Sequence, residues 1–190
     1  MTLLPLFALL ALTLGAAPQP PAAQSIDTQR SRITVYVYKR GLFSFLADNH
    51  TIAAPIARGA CDAQRKTVSL AVDAAKMRVL DPALPPDKRA SVQANMLGPQ
   101  VLDANRYPAI AFQSIKIEGS GKGAWTVTGG LELHGRTRTM TFPVESDGAG
   151  HFTGSVMVRQ TAFGMTPVRI AGGTVSVKDD VRIAFDIWCR

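Results

Sequence analysis

The chain contains few of the residues that build metal, redox or catalytic sites. Its 190 residues include only two cysteines and three histidines. No CxxC, HxH or HExxH spacing occurs, and no Ser-His-Asp order is evident, which excludes the common zinc, redox and hydrolase motifs. The pair Gly129-Gly130 is interpreted as turn or bulge glycines, because no strand-to-helix context makes it a phosphate loop. We therefore expect no enzyme, no catalytic residues, no metal and no cofactor.

Long hydrophobic runs are also lacking, except for one near the N-terminus. Residues 3–14 are nearly all Leu, Ala or Phe, and small residues follow directly. The run is too short to span a bilayer, so an uncleaved anchor is the less favoured alternative, and the pattern is typical of a secretory signal peptide. We predict a signal peptide and linker in residues 1–24, with cleavage near residues 17–24. One exported domain, periplasmic or secreted, is predicted for residues 25–190.

Acidic residues are outnumbered, since 21 Lys and Arg stand against 14 Asp and Glu and give a net charge of +7. Such a balance favours transient contact with an anionic membrane surface or with anionic headgroups. The cations are scattered along the chain and form no compact run, so a solvated basic surface is the simpler interpretation. Nucleic acid is not expected as a partner, because an exported chain without a binding motif does not fit that class. The sequence leaves open whether the chain forms a homodimer.

Alternation of apolar and polar residues is the main structural signal, and it dominates the chain after residue 106. In the clearest stretch, residues 125–134, one face holds Trp125, Val127, Leu131 and Leu133. A period of two predicts strands of an antiparallel sheet with one apolar and one polar face. If such a sheet closes into a barrel, its apolar face encloses either a packed core or a cavity for a long apolar guest.

Eight strands and one helix are predicted along the domain. The helix, Asp87–Leu97, lies in a long Pro-rich loop, and its narrow apolar face is suited to cap one mouth of a barrel. The strands are expected at residues 31–40, 50–61, 67–73, 109–118, 124–134, 137–146, 151–162 and 174–189. Together these elements favour an all-β antiparallel barrel or sandwich.

The two cysteines, Cys61 and Cys189, are predicted to form a disulfide, because a lone pair in an exported protein is usually oxidised. The predicted topology makes this demanding. Both residues end strands that flank the first strand, and strands on either side of a third lie about 10 Å apart, farther than a disulfide spans unless the strand ends converge. Two free cysteines are the alternative.

Four segments carry a resemblance to a known family. They are LDANRYPAIAFQS at 102–114, TVTGGLELHGRT at 126–137, TAFG at 161–164 and KDDVRI at 178–183. In this order they are similar to motifs of the YceI-like family, and the match covers nearly the whole domain. The usual His-x-Gly of the family is replaced by Lys39-Arg40-Gly41, so the identity of a ligand does not transfer.

This resemblance implies a lipocalin-like, eight-stranded antiparallel barrel that is exported and holds a polyisoprenoid or fatty-acyl compound. The apolar inward faces predicted from the residues agree with such a role. We expect the ligand chain to lie along inward residues of several strands, namely Val35, Val37, Phe112, Trp125, Leu133, Phe142, Val158 and Phe185.

Arg136 and Arg138 are predicted as anchors for an anionic headgroup. They lie two residues apart and so project to one face of a strand, and an Arg side chain holds a carboxylate or pyrophosphate with two hydrogen bonds. A solvated pair on the outer wall is the alternative.

Two other functions remain open at this point. One is a ligand-free accessory module of an envelope redox or stress system, with a filled barrel. The other is a metal-dependent enzyme that uses His50, with Asp48 nearby, and His134. We rank both below the lipid carrier, because His134 is better explained by a hydrogen bond to a turn carbonyl and no metal-ligand spacing is present.

Overall fold

The computed structural model describes residues 23–40, 49–170 and 175–190. These residues are mostly in strands, with one short α-helix, and the strands form a strongly curled antiparallel sheet. This confirms the predicted all-β class and is consistent with a lipocalin-like barrel. The predicted signal peptide lies almost entirely outside the described residues and stays a prediction, as does the boundary at residue 25.

Fourteen strands lie in the described part of the chain. They are β1 (Gln24–Ser25), β2 (Arg32–Val37), β3 (Lys39–Arg40), β4 (His50–Ala53), β5 (Ile56–Asp62), β6 (Thr67–Asp73), β7 (Arg78–Val79), β8 (Ala109–Gly121), β9 (Ala124–Leu133), β10 (Arg136–Ser146), β11 (His151–Arg159), β12 (Arg169–Ile170), β13 (Val175–Val177) and β14 (Asp180–Trp188).

The main sheet contains eleven strands in the order β1-β5-β6-β8-β9-β10-β11-β14-β2-β4-β7. The pairings between its strands are antiparallel, and its centre follows the chain through successive hairpins. A small second sheet has the order β12-β13-β3. Neighbours in sequence are thus mostly neighbours in space, as expected for a barrel built from hairpins.

The predicted strand count of eight was wrong, and the physical reason lies in local breaks. Residues 50–61 form two strands, because Pro55 has no N–H to donate to a ladder and the chain bends there. The other additional strands, β1, β3, β7, β12 and β13, are only two or three residues long. Strands this short contain too few residues for an alternation of apolar and polar side chains to be recognised in the sequence.

The bend at Ala54 and Pro55 closes the curled sheet. β4 lies near one end of the strand order and β5 near the other, yet only these two residues separate them. Ala54 is buried, and its N–H donates to the carbonyl of Ile33 in β2 at 2.9 Å. The chain itself therefore connects the two ends of the sheet at this point.

A second connection forms between β5 and the end of β14. Gln24 of β1 pairs with Cys61 of β5, and Ile26 bridges Cys189 just after β14. The N–H of Arg190 donates to the carbonyl of Ser25 at 2.9 Å. The strands β5, β1 and β14 thus meet along what we call the seam of the barrel.

Cys61 and Cys189 form a disulfide across this seam, with their Cα atoms 6.2 Å apart. The strong curl of the sheet brings the two strand ends together, so the 10 Å spacing of a flat sheet does not apply. The disulfide joins positions 128 residues apart in sequence. It therefore links β5 to the residue that follows β14.

One helix, α1 (Pro86–Leu97), covers one end of the barrel. It begins one residue before the predicted start, since proline is well suited to a first helical turn, where its missing N–H is not needed. Gln93 fixes the helix to the sheet, because its side chain accepts from the N–H of Val79 and donates to the carbonyl of Met77, both at 2.9 Å. Across the described ranges, no helix combines the length and the apolarity needed to span a membrane.

Asp27 holds the turn between β1 and β2. Its carboxylate accepts from the N–H groups of Gln29 and Arg30 at 3.0 and 3.1 Å, and Arg190 approaches to 3.3 Å. The Arg30 N–H is the main cause that lowers the pKa of Asp27, and the positive charges of Arg190 and Arg30 add to it. The same carboxylate thus organises the turn and contacts the C-terminal residue.

We predict that Asp27→Asn reduces the loss of stability in acid. Because the folded pKa lies below the unfolded value of about 3.9, the stabilisation is complete above that value and is lost as the pH falls through the folded pKa. Urea midpoints of the wild type should therefore fall more steeply on acidification below about pH 4 than those of the variant. Parallel curves for the two proteins would contradict a role for the Asp27 charge.

We also predict that removing the disulfide lowers stability without changing the fold. A loop of this length contributes about 5 kcal/mol in the entropic model, and measured losses are typically about 2–5 kcal/mol. The double variant with Cys61→Ala and Cys189→Ala should keep its far-ultraviolet circular dichroism and unfold at a lower urea concentration. Wild-type protein treated with a reductant is the control, and it should show a similar loss.

Candidate functional site

The curled sheet encloses a cavity of about 710 Å³. This volume falls within the range of about 300–1,000 Å³ that is usual for ligand pockets. Its wall is built from inward side chains of the long strands and is almost entirely apolar. The strand residues that line it include Ile33, Ile52, Leu70, Val72, Ile110, Val127, Leu131, Met140, Val144, Phe152, Val156, Val181, Ile183 and Ile187.

The structure brings together all of the residues predicted to lie along a ligand chain. Each of the eight lines the cavity: Val35, Val37, Phe112, Trp125, Leu133, Phe142, Val158 and Phe185. They come from β2, β8, β9, β10, β11 and β14. That they bind a ligand stays a prediction, but their placement on one inner surface follows from the alternation of the strands.

Three phenylalanines meet inside the barrel. The ring of Phe142 lies 5.5 Å from that of Phe112 and 5.6 Å from that of Phe185, in tilted and edge-on contacts. They come from β10, β8 and β14, so β9 lies between the first pair and β11 between the second. These separations are typical of favourable aromatic pairs.

The intervening strands have glycine where the rings approach. A Cβ on Gly129 of β9 would overlap the ring of Phe112, and a Cβ on Gly154 of β11 would lie 2.5 Å from Cζ of Phe185. The rings therefore lie over the backbone of the neighbouring strand. The two glycines thus let the rings lie close to the wall of the barrel, so that the rings project less far into its interior. Gly129 and Gly130, interpreted from the sequence as turn or bulge glycines, lie inside β9 and not in a turn, and the β8–β9 ladder shifts register beside Gly129, between Ser114 and Lys116.

One end of the cavity is closed by packed apolar side chains. Met96 of α1, Leu102 of the following loop and Met165 are buried there and line the cavity floor. Phe163, at the end of the short 3-10 helix Gln160–Phe163, is buried beside them. The sequence indicated that α1 would cap the barrel, but only Met96 gave a signal for this floor. Leu102 and Met165 lie in loops without periodicity.

The opposite end is bordered by hairpin turns and is more polar. We call it the turn end; its lining residues are Gln24, Asp62, Ala63, Lys66, Thr67, Ser146, Gly148, Ala149 and Gly150. The disulfide residues Cys61 and Cys189 line the cavity just below it. No pattern in the sequence points to the turn positions as cavity lining, because turn residues become neighbours only when the barrel closes.

The carboxylates at the turn end are held by local hydrogen bonds. Asp62 accepts from the N–H of Arg65 at 2.8 Å and from its guanidinium at 3.0 Å. The backbone N–H of Arg65 is the main cause that lowers the pKa of Asp62. In the opposite turn, the N–H of Ala149 donates to Asp147 at 2.8 Å and is the main cause that lowers the pKa of that carboxyl.

Arg136 and Arg138 do not line the cavity, and the prediction that they anchor a headgroup has no support in their position. In the β9–β10 ladder they lie opposite Leu133 and Leu131, so they are on the face of β10 that points into the barrel. They lie, however, at the end of the barrel that α1 closes. Arg138 Nε donates to the carbonyl of Ala162 at 3.1 Å, and the guanidinium of Arg136 packs against Gly164. The 3-10 helix thus separates both exposed cations from the cavity.

The histidines proposed for a metal-dependent enzyme have other partners. His50 Nδ1 lies 2.7 Å from a carboxylate oxygen of Asp81, in the loop between β7 and α1. Asp48 lies outside the described residues. His134 Nδ1 contacts the carbonyl of Phe163 at 3.1 Å, and its ring packs on Tyr107 at 4.6 Å. Among the residues that are described, no group of three metal-binding side chains comes together. The contacts of both histidines connect loops to the sheet at the closed end.

Comparison with known proteins gives a consistent result. A family model described as YceI-like domain matches residues 24–188. A UPF0312 protein of Vibrio parahaemolyticus is 42% identical over 50 residues, a stretch that spans 26% of this chain and 26% of that protein.

Solved structures show the same fold. Burkholderia cenocepacia BcnA superposes with a TM-score of 0.60 at 21% identity, covering 85% of this chain and 98% of that one. A YceI protein of Campylobacter jejuni has a TM-score of 0.54 at 14% identity, covering 81% of this chain and 85% of that one. At such identities the superpositions show the shared fold alone.

We predict that the two adjacent glycines of β9 respond differently to substitution. In Gly129→Ala the new methyl group overlaps the Phe112 ring and lies 2.6 Å from the carbonyl of Gln113, so we expect a loss of about 1–3 kcal/mol. In the control, Gly130→Ala, the nearest atom is 3.3 Å away on Thr137, and the change should be neutral or stabilising by up to about 1 kcal/mol. Urea unfolding measures both, and equal effects would contradict the account of the barrel interior.

Proposed function

This chain belongs to the YceI-like family, whose barrel is a binding-protein fold, and we propose on that premise that it is an exported carrier for one long-chain amphiphilic lipid. The observation that supports this most directly is the apolar cavity of about 710 Å³ inside the barrel. Its wall offers hydrocarbon contact along the whole length between α1 and the turn end. The proposed ligand class is a polyisoprenoid or fatty-acyl compound.

The energetics of such a site favour a long chain over a compact polar ligand. Each methylene removed from water contributes about 0.8 kcal/mol before the cost of ordering the ligand. The lining away from the turn end supplies few polar groups, so a sugar or nucleotide would lose its hydrogen bonds to water without replacement. An alkyl or isoprenyl chain has no such hydrogen bonds to lose.

Export is part of the proposal and is supported by the disulfide. Disulfides persist in oxidising compartments such as the bacterial periplasm and are rare in a reducing cytosol. The bond between Cys61 and Cys189, together with the apolar run at residues 3–14, is what a secreted or periplasmic carrier would have. Enzymatic activity is not part of the proposal.

The ligand-free accessory module is the second candidate, and the cavity weighs against it. A scaffold without a ligand would gain stability from a filled interior, since empty volume costs contacts between packed side chains. Here Gly129 and Gly154 let the rings of Phe112 and Phe185 lie against the wall, and the cavity remains open beside them. An open interior is better explained by a guest than by a purely structural role.

The direct test is native mass spectrometry of protein purified without detergent or organic solvent. We expect a bound species that organic extraction releases and whose fragments identify an alkyl or isoprenyl chain. Delipidated protein should then take up a fluorescent long-chain probe with a stoichiometry near one. Protein that carries no lipid and takes up no probe would contradict the carrier function.

We predict that Phe142→Arg abolishes lipid retention and that Thr141→Arg does not. These adjacent residues of β10 face opposite sides of the sheet, with Phe142 in the cavity and Thr141 exposed on the outside. A guanidinium in the apolar lumen would bring bound water with it and exclude the chain. Uptake of the fluorescent probe measures retention, and circular dichroism establishes that each variant is folded. Equal uptake by both variants would place the lipid elsewhere.

A further inference from the structure

The polar groups that line the cavity are concentrated at its turn end. The ionisable lining residues there include Asp62, the last residue of β5, and Lys66, in the turn that follows. The opposite end is closed by Met96, Leu102 and Met165. An amphiphile whose chain occupies this cavity would therefore place its head at the turn end, where water and polar groups are available.

Most of the charged side chains around the turn end already have a hydrogen-bond or ion-pair partner within the protein. Asp62 is paired with Arg65, and Asp27 is paired with Arg190. Asp147 accepts from the N–H of Ala149 and lies 3.5 Å from Nδ1 of His151. His151 also contacts Asp186 at 2.9 Å. Each of these carboxylates therefore has a nearby cation or N–H donor that offsets its charge.

Lys66 differs from these groups. It lines the cavity, it is exposed, and it forms no ion pair with the described residues around it. Lys122 offers a comparison, since it lies in the β8–β9 turn at the same end, is also exposed and has the same backbone φ of 50°. Lys122 does not line the cavity. Of these two turn lysines, only Lys66 borders the cavity.

We propose, resting on the carrier function above, that Lys66 binds the head of the lipid and selects amphiphiles with an anionic oxygen head, either carboxylate or phosphate. Ser146 and Gln24 line the same end; the Ser146 hydroxyl accepts from the N–H of Gly148 and keeps its own proton to donate, and the Gln24 amide adds further donors for head oxygens. The chain then runs inward past Phe142 and ends near α1. This assigns to Lys66 the role that the sequence had suggested for Arg136 and Arg138.

The experiment compares ligands of equal chain length in wild-type and variant proteins. The probes are hexadecanoate, hexadecyl phosphate, neutral hexadecanol and cationic hexadecyltrimethylammonium, each displacing the same fluorescent reporter from delipidated protein. Lys66→Gln removes the charge, Lys66→Glu reverses it, and Lys122→Glu is the matched control at the same end. Circular dichroism and urea midpoints establish that the variants remain folded.

We expect Lys66→Gln to weaken the two anionic probes about fivefold and Lys66→Glu about tenfold or more, as for a partly exposed ion pair. The difference between wild type and variant should shrink as salt rises from 20 mM to 500 mM, since added ions screen exposed charges. Hexadecanol should bind all proteins alike, and Lys122→Glu should resemble the wild type. Comparing hexadecanoate with hexadecyl phosphate identifies which anionic head is preferred.

The possible results separate this inference from the carrier function. If no alkyl probe binds the wild type, the carrier function itself is wrong. If hexadecanol and the anionic probes bind equally well and Lys66→Glu changes neither, the carrier function stands and selection by Lys66 is overturned. An equal loss for Lys122→Glu would mean that general surface charge, and not Lys66, attracts the anionic head.

Discussion

Closure of the curled sheet along the seam between β5 and β14 is the constraint on which the cavity depends. An amphipathic sheet with an open edge would expose its apolar face and its unpaired N–H groups. Here the bend at Ala54 and Pro55 connects β4 to β5, while Ile26 and the Cys61–Cys189 disulfide close the gap beside β14. Asp27 and Arg190 add a contact on the same side. The lumen is enclosed because these few local contacts complete a wall that regular strand pairing leaves incomplete.

The interior of the barrel is tightly packed at the end closed by α1 and open towards the middle. The closed end is a conventional core in which Phe163 and Val158 are almost fully buried. Towards the middle, Phe112 and Phe185 lie over Gly129 and Gly154, so large rings cover the wall instead of filling the lumen. Empty volume costs stability because the lining atoms lose contacts. A barrel that keeps such a volume, with a core at one end to maintain its stability, is suited to a guest that restores those contacts.

The two ends of the barrel differ in chemistry as well as in packing. At the closed end, polar side chains such as Gln93, His50 and His134 make hydrogen bonds that attach α1 and the loops to the sheet. At the turn end, Asp62 and Asp147 are held within their own hairpin turns, and Lys66 borders the lumen. A polarity gradient of this kind gives an amphiphile one favourable orientation, because its chain and its head find matching surroundings only when the head is at the turn end.

The sequence by itself determined the all-β class, the long strands and their inward faces, since a period of two specifies which side chains share a face of a strand whatever the strand pairs with. That is why all eight predicted lining residues, from Val35 to Phe185, lie on one inner surface. Only the tertiary structure decided which end of the barrel is closed. Arg136 and Arg138 belong to the inward face of β10, but the 3-10 helix before Gly164 covers the end of the barrel where they lie. Lys66, in the turn after β5, and Ser146, at the end of β10, share a lining only because the sheet curls and closes. Alternation is a local property of the chain, whereas a cavity is made by side chains far apart in sequence, and their meeting depends on closure.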